Sequence, residues 1–408
     1  MISRVNGVSL LLICGFLFVF TETILSPFYP QFFSQVFGIT DLSLTGEYVA
    51  LCRFTVLISA PLWGFLAKKI DPLKLLIIGQ SCAALITLGL SQASQLTFFL
   101  ILSVLLLIFK SSYFLFYSLL IELQGRRKQL RTVGQVQLVV QVALIASALA
   151  SSWVLHFEHP LKLFVVVAAL DVLQVILCFW VFRQRKQQPK AEVPKETSDL
   201  QQTHYLWRPQ TVFAYGLLIL AFSIATNSVR PYLTAYGIQT LHMSQLTAAV
   251  LYLIPSLMAF AVFPILHSQW IKRIQVSSAY SVMLGLLVIS LAWQALAQSI
   301  YSLFAARVIF GFSMLLGQAL LENHLFTNAS SSPHWYFSLT TVVQNSGQLF
   351  APLLAAWVVA WYGLTAPFWL AALLFGISFS LVYYGLSLRQ FSKTTPQISS
   401  EPMIKAEY

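Results

Sequence analysis

Six charged residues lie inside long apolar stretches of the sequence, where a charge is costly. They comprise two acids and four bases, in the order Glu22, Asp171, Arg53, Lys110, Arg230 and Arg307. Charged side chains at membrane depth usually serve a ligand, an ion or a proton. A carboxylate can carry a proton, and a guanidinium group binds a carboxylate or phosphate through paired hydrogen bonds. Because the bases outnumber the acids, the set predicts a ligand that brings negative charge.

The composition places these residues in a membrane protein. Hydrophobic residues make up 58% of the 408 positions and charged residues 9%, whereas a soluble protein carries roughly 25% charged residues. A soluble fold of this composition would expose large apolar patches. The net charge of +11 comes from short basic clusters between apolar runs, which is the pattern of membrane loops and does not indicate nucleic-acid binding.

Other common chemistries find no support in the sequence. The four cysteines fall inside apolar runs without metal-ligand spacing, so we interpret them as core residues: Cys14, Cys52, Cys82 and Cys178. Neither a phosphate-binding loop nor a nucleophile-base pair is present. We therefore expect no enzyme activity and no cofactor.

Apolar runs of about 20 residues predict twelve spanning helices. We place the first six at 7–29, 44–67, 73–92, 96–122, 132–155 and 161–182, and the second six at 211–235, 244–270, 276–297, 299–323, 335–361 and 364–388. The first run lacks a small-residue cleavage site and is expected to be retained as a helix.

The distribution of basic residues predicts the orientation. With the N-terminus inside, the cytoplasmic segments hold nineteen Lys and Arg residues and the opposite segments hold only Lys162. This asymmetry places both termini in the cytoplasm and requires an even number of spans. The expected location is a bacterial inner membrane.

The two halves of the chain resemble each other. The stretch Pro61–Lys69 can be laid over Pro264–Lys272, and Leu120–Glu122 over Leu320–Glu322. An internal repeat of this kind is common in transporters. We predict an all-α membrane protein of two six-helix pseudo-repeat bundles, with the divisions 1–182, a cytoplasmic linker 183–210, 211–390 and a cytoplasmic tail 391–408.

The chain resembles the major facilitator superfamily over most of its length, and three short motifs carry the resemblance. Gly64, Lys69 and Lys74 fit its loop between the second and third helices, although Lys68 stands where the family carries an Asp. The run from Glu22 to Pro30 resembles the acid-and-proline signature of its proton antiporters for drugs and organic solutes. Arg307, followed by a glycine four positions later, resembles its intramembrane arginine in helix ten.

The resemblance implies that helices one, two, four, seven and ten face a central cavity. On helix four, Lys110, Tyr113 and Tyr117 share a face at helical spacing. We expect Glu22 to couple protons. The candidate substrate-binding residues on these and neighbouring helices are Arg53, Lys110, Tyr113, Tyr117, Gln137, Gln141, Asn227, Arg230, Arg307, Gln318 and Gln344. The candidate gate residues are Gly64, Lys68, Lys69, Asp71, Glu122, Arg126 and Glu322.

Each of these roles has a plainer alternative. Glu22 either carries the coupled proton or forms a buried ion pair with Arg53 or Lys110 that fixes helix packing. Arg230 either binds substrate or reaches toward the lipid headgroups. The gate glutamates are equally explained as exposed interfacial pairs, which contribute little.

The charge balance favours a proton-coupled transporter of a small organic anion, for example efflux of a polycarboxylate metabolite or siderophore. Import of the same anion needs the same residues. A multidrug antiporter and a non-transporting receptor or scaffold are the alternatives. The expected partners are a small-molecule substrate, protons and the lipid bilayer, but not nucleic acid, and we expect a monomer.

Overall fold

The computed structural model describes residues 2–116, 119–120, 129–154, 159–186, 209–267, 276–328 and 333–383, and all regular elements in these ranges are helical. The first half contains α1 (Ile2–Thr23), α2 (Tyr29–Phe37), α3 (Ser43–Leu66), α4 (Pro72–Leu90), α5 (Leu96–Lys110), α6 (Gln129–Val154) and α7 (Leu163–Lys186). The second half contains α8 (Pro209–Ser228), α9 (Leu233–Leu241), α10 (Gln245–His267), α11 (Val276–Ala295), α12 (Ile300–Asn328), α13 (Pro333–Tyr362) and α14 (Ala366–Tyr383).

These helices confirm the predicted all-α membrane fold. Among the described residues, ten helical stretches are long and apolar enough to cross a bilayer, and the bent pair α8 and α9 makes up to eleven. A shorter apolar helix covers Leu138–Trp153 within α6. Each of the twelve predicted spans therefore corresponds to one helix or one broken pair.

Three of the predicted continuous helices are interrupted. The first span breaks between Thr23 and Tyr29, where a 3₁₀ turn covers Ser26–Phe28, and the seventh bends by 41° between α8 and α9. Pro27 and Pro231 lie in these breaks. A proline has no N–H and its ring clashes with the carbonyl four residues earlier, so each helix ends close to that residue.

The fourth span is interrupted without a proline. Helix α5 ends at Lys110 and a 3₁₀ turn covers Ser111–Tyr113. The Ser111 hydroxyl donates to the Leu107 carbonyl oxygen at 2.7 Å, so the side chain satisfies a backbone acceptor of the last α-helical turn. Side-chain bonds of this kind compete with the regular helical pattern.

The two halves meet at the end of the molecule that carries the loop 38–42. Near the start of α3, Gly46 lies against α13, where an added Cβ atom would be 2.5 Å from the Cβ atom of Ala356. The Thr234 hydroxyl donates to the Pro27 carbonyl oxygen, which joins the break in the seventh span to the break in the first. The halves therefore contact each other closely at this end, which we call the sealed end.

An aromatic cluster supports the sealed end. It contains rings from the first, second, fourth and sixth spans and two alanines of α10, and its members include Phe28, Phe32, Phe33, Phe99, Phe164, Ala248 and Ala249. At the other end of α3, Leu62 and Phe65 are 59% and 60% exposed. The small alanines allow the second half to approach these rings closely.

We predict that a methyl group at Gly79 destabilises the turn at the end of α5. The Cβ atom added at this position would lie 2.9 Å from the Phe109 carbonyl oxygen and against the Ser112 side chain. Overpacking of this kind predicts a loss of roughly 1–3 kcal/mol in the free energy of unfolding of Gly79→Ala, measured by chemical denaturation in detergent.

The matched control lies on the same helix. At Gly89 an added Cβ atom would meet only the Leu102 Cδ1 atom at 3.6 Å, so Gly89→Ala is expected to be neutral or stabilising by up to about 1 kcal/mol. Equal losses in the two variants would contradict the close packing at Gly79.

Candidate functional site

A cavity of about 330 Å³ lies between the two halves, beside the breaks in the first and seventh spans. The charged residues among its described wall residues are Glu22, Arg53, Lys110 and Arg230. The uncharged polar and aromatic wall residues include Thr21, Thr23, Ser26, Tyr29, Tyr48, Ser103, Phe164, Asn227 and Gln348. The structure therefore brings together five of the site residues predicted from the sequence: the four charged residues and Asn227.

Lys110 is the most enclosed charge on this wall. Its ammonium nitrogen lies 3.6 Å from Asp171 Oδ1 and 3.8 Å from Glu22 Oε2, and it donates to the Thr21 hydroxyl at 3.2 Å. The end of α5 also places the partial negative charge of the helix C-terminus near this cation. Of the two partners proposed for Glu22 from the sequence, the structure pairs it with Lys110.

Asp171 is fully buried on α7, away from the cavity wall. Its Oδ2 atom accepts from the Thr87 hydroxyl at 3.1 Å, and its Oδ1 atom accepts from the Gln174 side-chain amide at 3.1 Å. The sequence identified Asp171 as an intramembrane charge, but its helix, the sixth, is outside the set expected to face the cavity and is normally peripheral in the family that the chain resembles. The polar residue Gln174, three positions later on the same face, was the signal that this helix face is buried in protein.

The two carboxylates around Lys110 differ in accessibility. The Asp171 side chain has no exposed surface, whereas 33% of the Glu22 side chain is exposed. Asp171 thus serves as a fixed counter-charge, while Glu22 contacts both Lys110 and the cavity.

Arg230 lies in the break between α8 and α9 and lines the cavity. Its Nε atom donates to the Tyr252 hydroxyl at 2.6 Å, and its guanidinium carbon lies 5.3 Å from the centroid of that ring. The Tyr252 hydroxyl is also 3.1 Å from the Ser26 hydroxyl. The sequence placed Arg230 near the outer end of a continuous helix and did not identify Tyr252.

Arg53 lies on α3, and its exposed side chain lines the cavity. Within the described ranges, no acidic oxygen lies within 4.0 Å of either Arg53 or Arg230. Two guanidinium groups therefore line the cavity without a direct ion pair.

Arg307 is buried in the second half and is not among the described wall residues. One terminal nitrogen donates to the Gln294 side-chain oxygen at 3.4 Å, and the guanidinium carbon lies 4.6 Å from the Phe310 ring centroid. Its Nε atom has no hydrogen-bond partner among the described residues. Arg307 thus contacts the face of the Phe310 ring and the side-chain amide of Gln294.

The other predicted substrate residues are dispersed. The Tyr113 ring stacks on Phe18 at 3.6 Å, and Phe18 lies beneath the Lys110 ammonium, so both predicted residues contact the same ring of α1. Gln318 and Gln344 are half-buried on α12 and α13 and, like Tyr113, are not among the described wall residues. The same holds for Gln141, whose side-chain oxygen is buried without a partner in the described ranges.

The predicted gate residues that can be described lie at the end of α3 and the start of α4. Gly64 borders open space, and the exposed side chains of Lys68 and Lys69 approach the Phe65 ring at 5.7 and 5.9 Å. Asp71 caps α4 by accepting from the Leu73 N–H at 2.8 Å. Its observed contact is therefore a helix cap.

Several predicted residues fall outside the described positions. Tyr117, Glu122 and Arg126 lie outside the described residues, and for Gln137 and Glu322 only the helical backbone is described. Among the described residues, no group of three or more His, Cys, Asp or Glu is arranged to hold a metal ion.

Comparison with known proteins identifies the family. The family model described as Major Facilitator Superfamily matches residues 11–331. No curated protein sequence matches this chain.

Solved structures of transporters share the fold at low sequence identity. A mutant of the nucleoside transporter NupG superposes with a TM-score of 0.72 at 11% identity, covering 93% of this chain and 98% of its own. The POT family transporter PepTSo gives 0.71 at 10% identity, with 93% and 98% covered. A bacterial homologue of the iron transporter ferroportin, in an inward-facing state, gives 0.68 at 12% identity, with 92% and 99% covered.

We predict that Asp171→Asn destabilises the protein more than Glu22→Gln. Removing the buried charge leaves Lys110 with only the partly exposed carboxylate, and breaking a buried ion pair of this kind costs roughly 3 kcal/mol. Glu22→Gln makes the same chemical change on the exposed partner and is expected to cost less than about 1 kcal/mol.

Chemical denaturation of both purified variants in the same detergent tests this order. Equal losses, or a larger loss in Glu22→Gln, would contradict the role of Asp171 as the fixed counter-charge.

Proposed function

This chain belongs to the major facilitator superfamily, and we propose that it is a secondary transporter that couples the movement of a small organic anion to protons. The observation that carries the proposal is the cavity wall, where three cationic side chains accompany one carboxylate. Lys110 is compensated by its own carboxylates. Arg53 and Arg230 are therefore the groups that a bound anion would neutralise.

The distribution of ion pairs supports an anion. In the first half, Glu22 and Asp171 both pair with Lys110 and leave Arg53 without an acidic partner among the described residues. Arg230 and Arg307 of the second half have no acidic partner among those residues either. An uncompensated charge removed from water costs several kcal/mol. A ligand bearing two negative charges would compensate both arginines on the cavity wall.

The chemistry of the two arginines favours carboxylates or phosphates. Each guanidinium group offers paired donors that match two oxygen atoms of such a group. Polycarboxylate metabolites, including siderophores of that type, have this chemistry, and the size of the cavity suits a small ligand. Export is the direction that the resemblance of the first helix to antiporters favours.

Glu22 is our candidate for the coupled proton. It lies beside Lys110 and is accessible from the cavity. Glu22, Arg53 and Arg230 line the same cavity, so a proton on Glu22 and an anion on the arginines would occupy one site.

A multidrug antiporter is the second candidate. Tyr29, Tyr48 and Phe164 provide aromatic surface on the cavity wall, and Glu22 provides an acidic group for a cationic drug. The three basic groups repel such a cargo. A non-transporting receptor or scaffold is a third alternative and predicts no solute flux at all.

The distribution of basic residues supports an orientation in the membrane. We propose a bacterial inner-membrane location with both termini in the cytoplasm, because nineteen basic residues fall in the segments on that side and one on the other. In this orientation the sealed end with the loop 38–42 faces the periplasm. We propose a monomer as the functional unit.

We predict that Arg53→Ala weakens anion transport while Arg53→Lys retains part of it. In proteoliposomes with an imposed pH gradient, citrate and other di- and tricarboxylates should dissipate the gradient in the wild-type protein. The loss of charge-assisted hydrogen bonds should raise the KM of Arg53→Ala roughly 10-fold or more, and Lys restores the charge without the planar fork. Dissipation by tetraphenylphosphonium but not by carboxylates would favour the drug antiporter instead.

We predict that Glu22→Gln uncouples protons from the anion. Exchange of labelled for unlabelled citrate should persist because the arginines are intact, whereas dissipation of the pH gradient should be lost. Retained proton movement in Glu22→Gln would contradict its role as the proton carrier. The absence of both activities in wild-type protein would favour the scaffold.

A further inference from the structure

The breaks in the first and seventh spans contact each other at the sealed end of the cavity. Thr234, in the first turn of α9, is fully buried, and its hydroxyl donates to the Pro27 carbonyl oxygen. One residue away, the Ser26 hydroxyl contacts the Tyr252 hydroxyl of α10 at 3.1 Å. We call these four residues the seam.

Tyr252 connects the seam to the cavity through Arg230. A guanidinium group can only donate hydrogen bonds, so the Tyr252 oxygen accepts the proton of Arg230 Nε at 2.6 Å. The phenolic proton is then free to be donated to Ser26. Tyr252 is 9% exposed and is not among the described residues that line the cavity, whereas Arg230 is. Tyr252 therefore lies on the side of Arg230 away from the cavity, and its hydroxyl holds the guanidinium group against the seam.

An anion in the cavity competes with Tyr252 for Arg230. A carboxylate accepts two parallel hydrogen bonds from a guanidinium group and brings the opposite charge, whereas the phenol accepts one hydrogen bond and brings no charge. A carboxylate that pairs with the Nε edge of the guanidinium group needs the Nε–H proton. This proton is now donated to the Tyr252 oxygen. The Tyr252 contact with Arg230 is lost when the carboxylate accepts this hydrogen bond instead, and Ser26 loses a positioned partner.

We propose that Tyr252 is a positioning residue that couples anion binding at Arg230 to opening of the seam. The proposal rests on the anion-transport function proposed above. A ligand shifts a conformational equilibrium only through different interactions in the two states. Here the difference is that Arg230 contacts Tyr252 when the seam is closed and the anion when the seam opens.

A cysteine at Ala248 provides a reporter for the seam. Ala248 is fully buried on α10, one helical turn before Tyr252, and packs in the aromatic cluster of the sealed end. In a full-length protein whose four native cysteines are replaced, the labelling rate of Ala248→Cys by a membrane-impermeant maleimide measures opening. Labelling is carried out in proteoliposomes from each side, with and without citrate.

Without citrate, Tyr252→Phe and Ser26→Ala should each speed labelling roughly 2- to 10-fold, because both remove the hydrogen bond between Ser26 and Tyr252. Tyr252→Phe keeps the ring beneath Arg230 but removes the hydroxyl. Ser26→Ala removes the other partner of the contact between Ser26 and Tyr252. The double variant should be no faster than Tyr252→Phe alone, because Tyr252→Phe already removes the hydroxyl that Ser26 contacts.

The matched control is Tyr236→Phe. The Tyr236 hydroxyl is buried and donates to the Gln294 carbonyl oxygen at 3.0 Å, so this variant also loses one tyrosine hydrogen bond in the second half. It is expected to label at the wild-type rate. Equal acceleration in Tyr252→Phe and Tyr236→Phe would overturn the proposal, because general loosening of the helices would then explain both.

Addition of citrate tests the coupling. Citrate should accelerate labelling in the wild-type protein and in Tyr236→Phe but should add little in Tyr252→Phe. A full citrate response in Tyr252→Phe would overturn the coupling role.

The failure of this proposal is distinguishable from failure of the transport proposal. Citrate that dissipates the pH gradient without accelerating wild-type labelling would overturn the coupling alone. Citrate that does neither would overturn the coupling and count against the proposed anion function.

Discussion

The burial of one ammonium group organises the first half of the molecule. Lys110 lies in the apolar interior, where a charge is stable only with partners of opposite charge. Its partners come from α1 and α7, and Asp171 is fixed in turn by Thr87 of α4. One cation therefore ties together α5, α1, α4 and α7. This network leaves Glu22 as its one carboxylate on the cavity wall.

Breaks in the spanning helices determine where the charges of the cavity lie. Glu22 precedes the break in the first span, Lys110 ends α5, and Arg230 lies within the break in the seventh span. A helix that ends inside the membrane leaves polar backbone groups that must be satisfied by protein or by a cavity. Transporters commonly place binding sites at such interruptions. The prolines and serines that cause the breaks thus matter to the site as much as the charged residues do.

Hydropathy and charge in the sequence were sufficient to predict the all-α fold and the two bundles, because lipid exposure constrains composition strongly. They also identified the charged residues that lie within the spans, but the partners of those charges depend on packing. These partners could not be predicted, since a 3.6-residue period identifies a face without identifying the neighbouring helix. Asp171 was therefore assigned to a peripheral helix, although it compensates Lys110. Tyr252 carries no charge and lies among apolar residues, so no sequence pattern distinguished it from the core. Arg307, predicted to bind substrate, lies instead against Gln294 and Phe310.

Each half places one arginine on the cavity wall. Both intramembrane carboxylates of the first half pair with Lys110, so neither Arg53 nor Arg230 has an acidic partner among the described residues. An anion held by Arg53 of the first half and Arg230 of the second would therefore bridge the two bundles. Its binding energy depends on their relative position, because one arginine moves with each bundle. A bridging charge of this kind provides the state-dependent interaction that rocking of one bundle against the other requires.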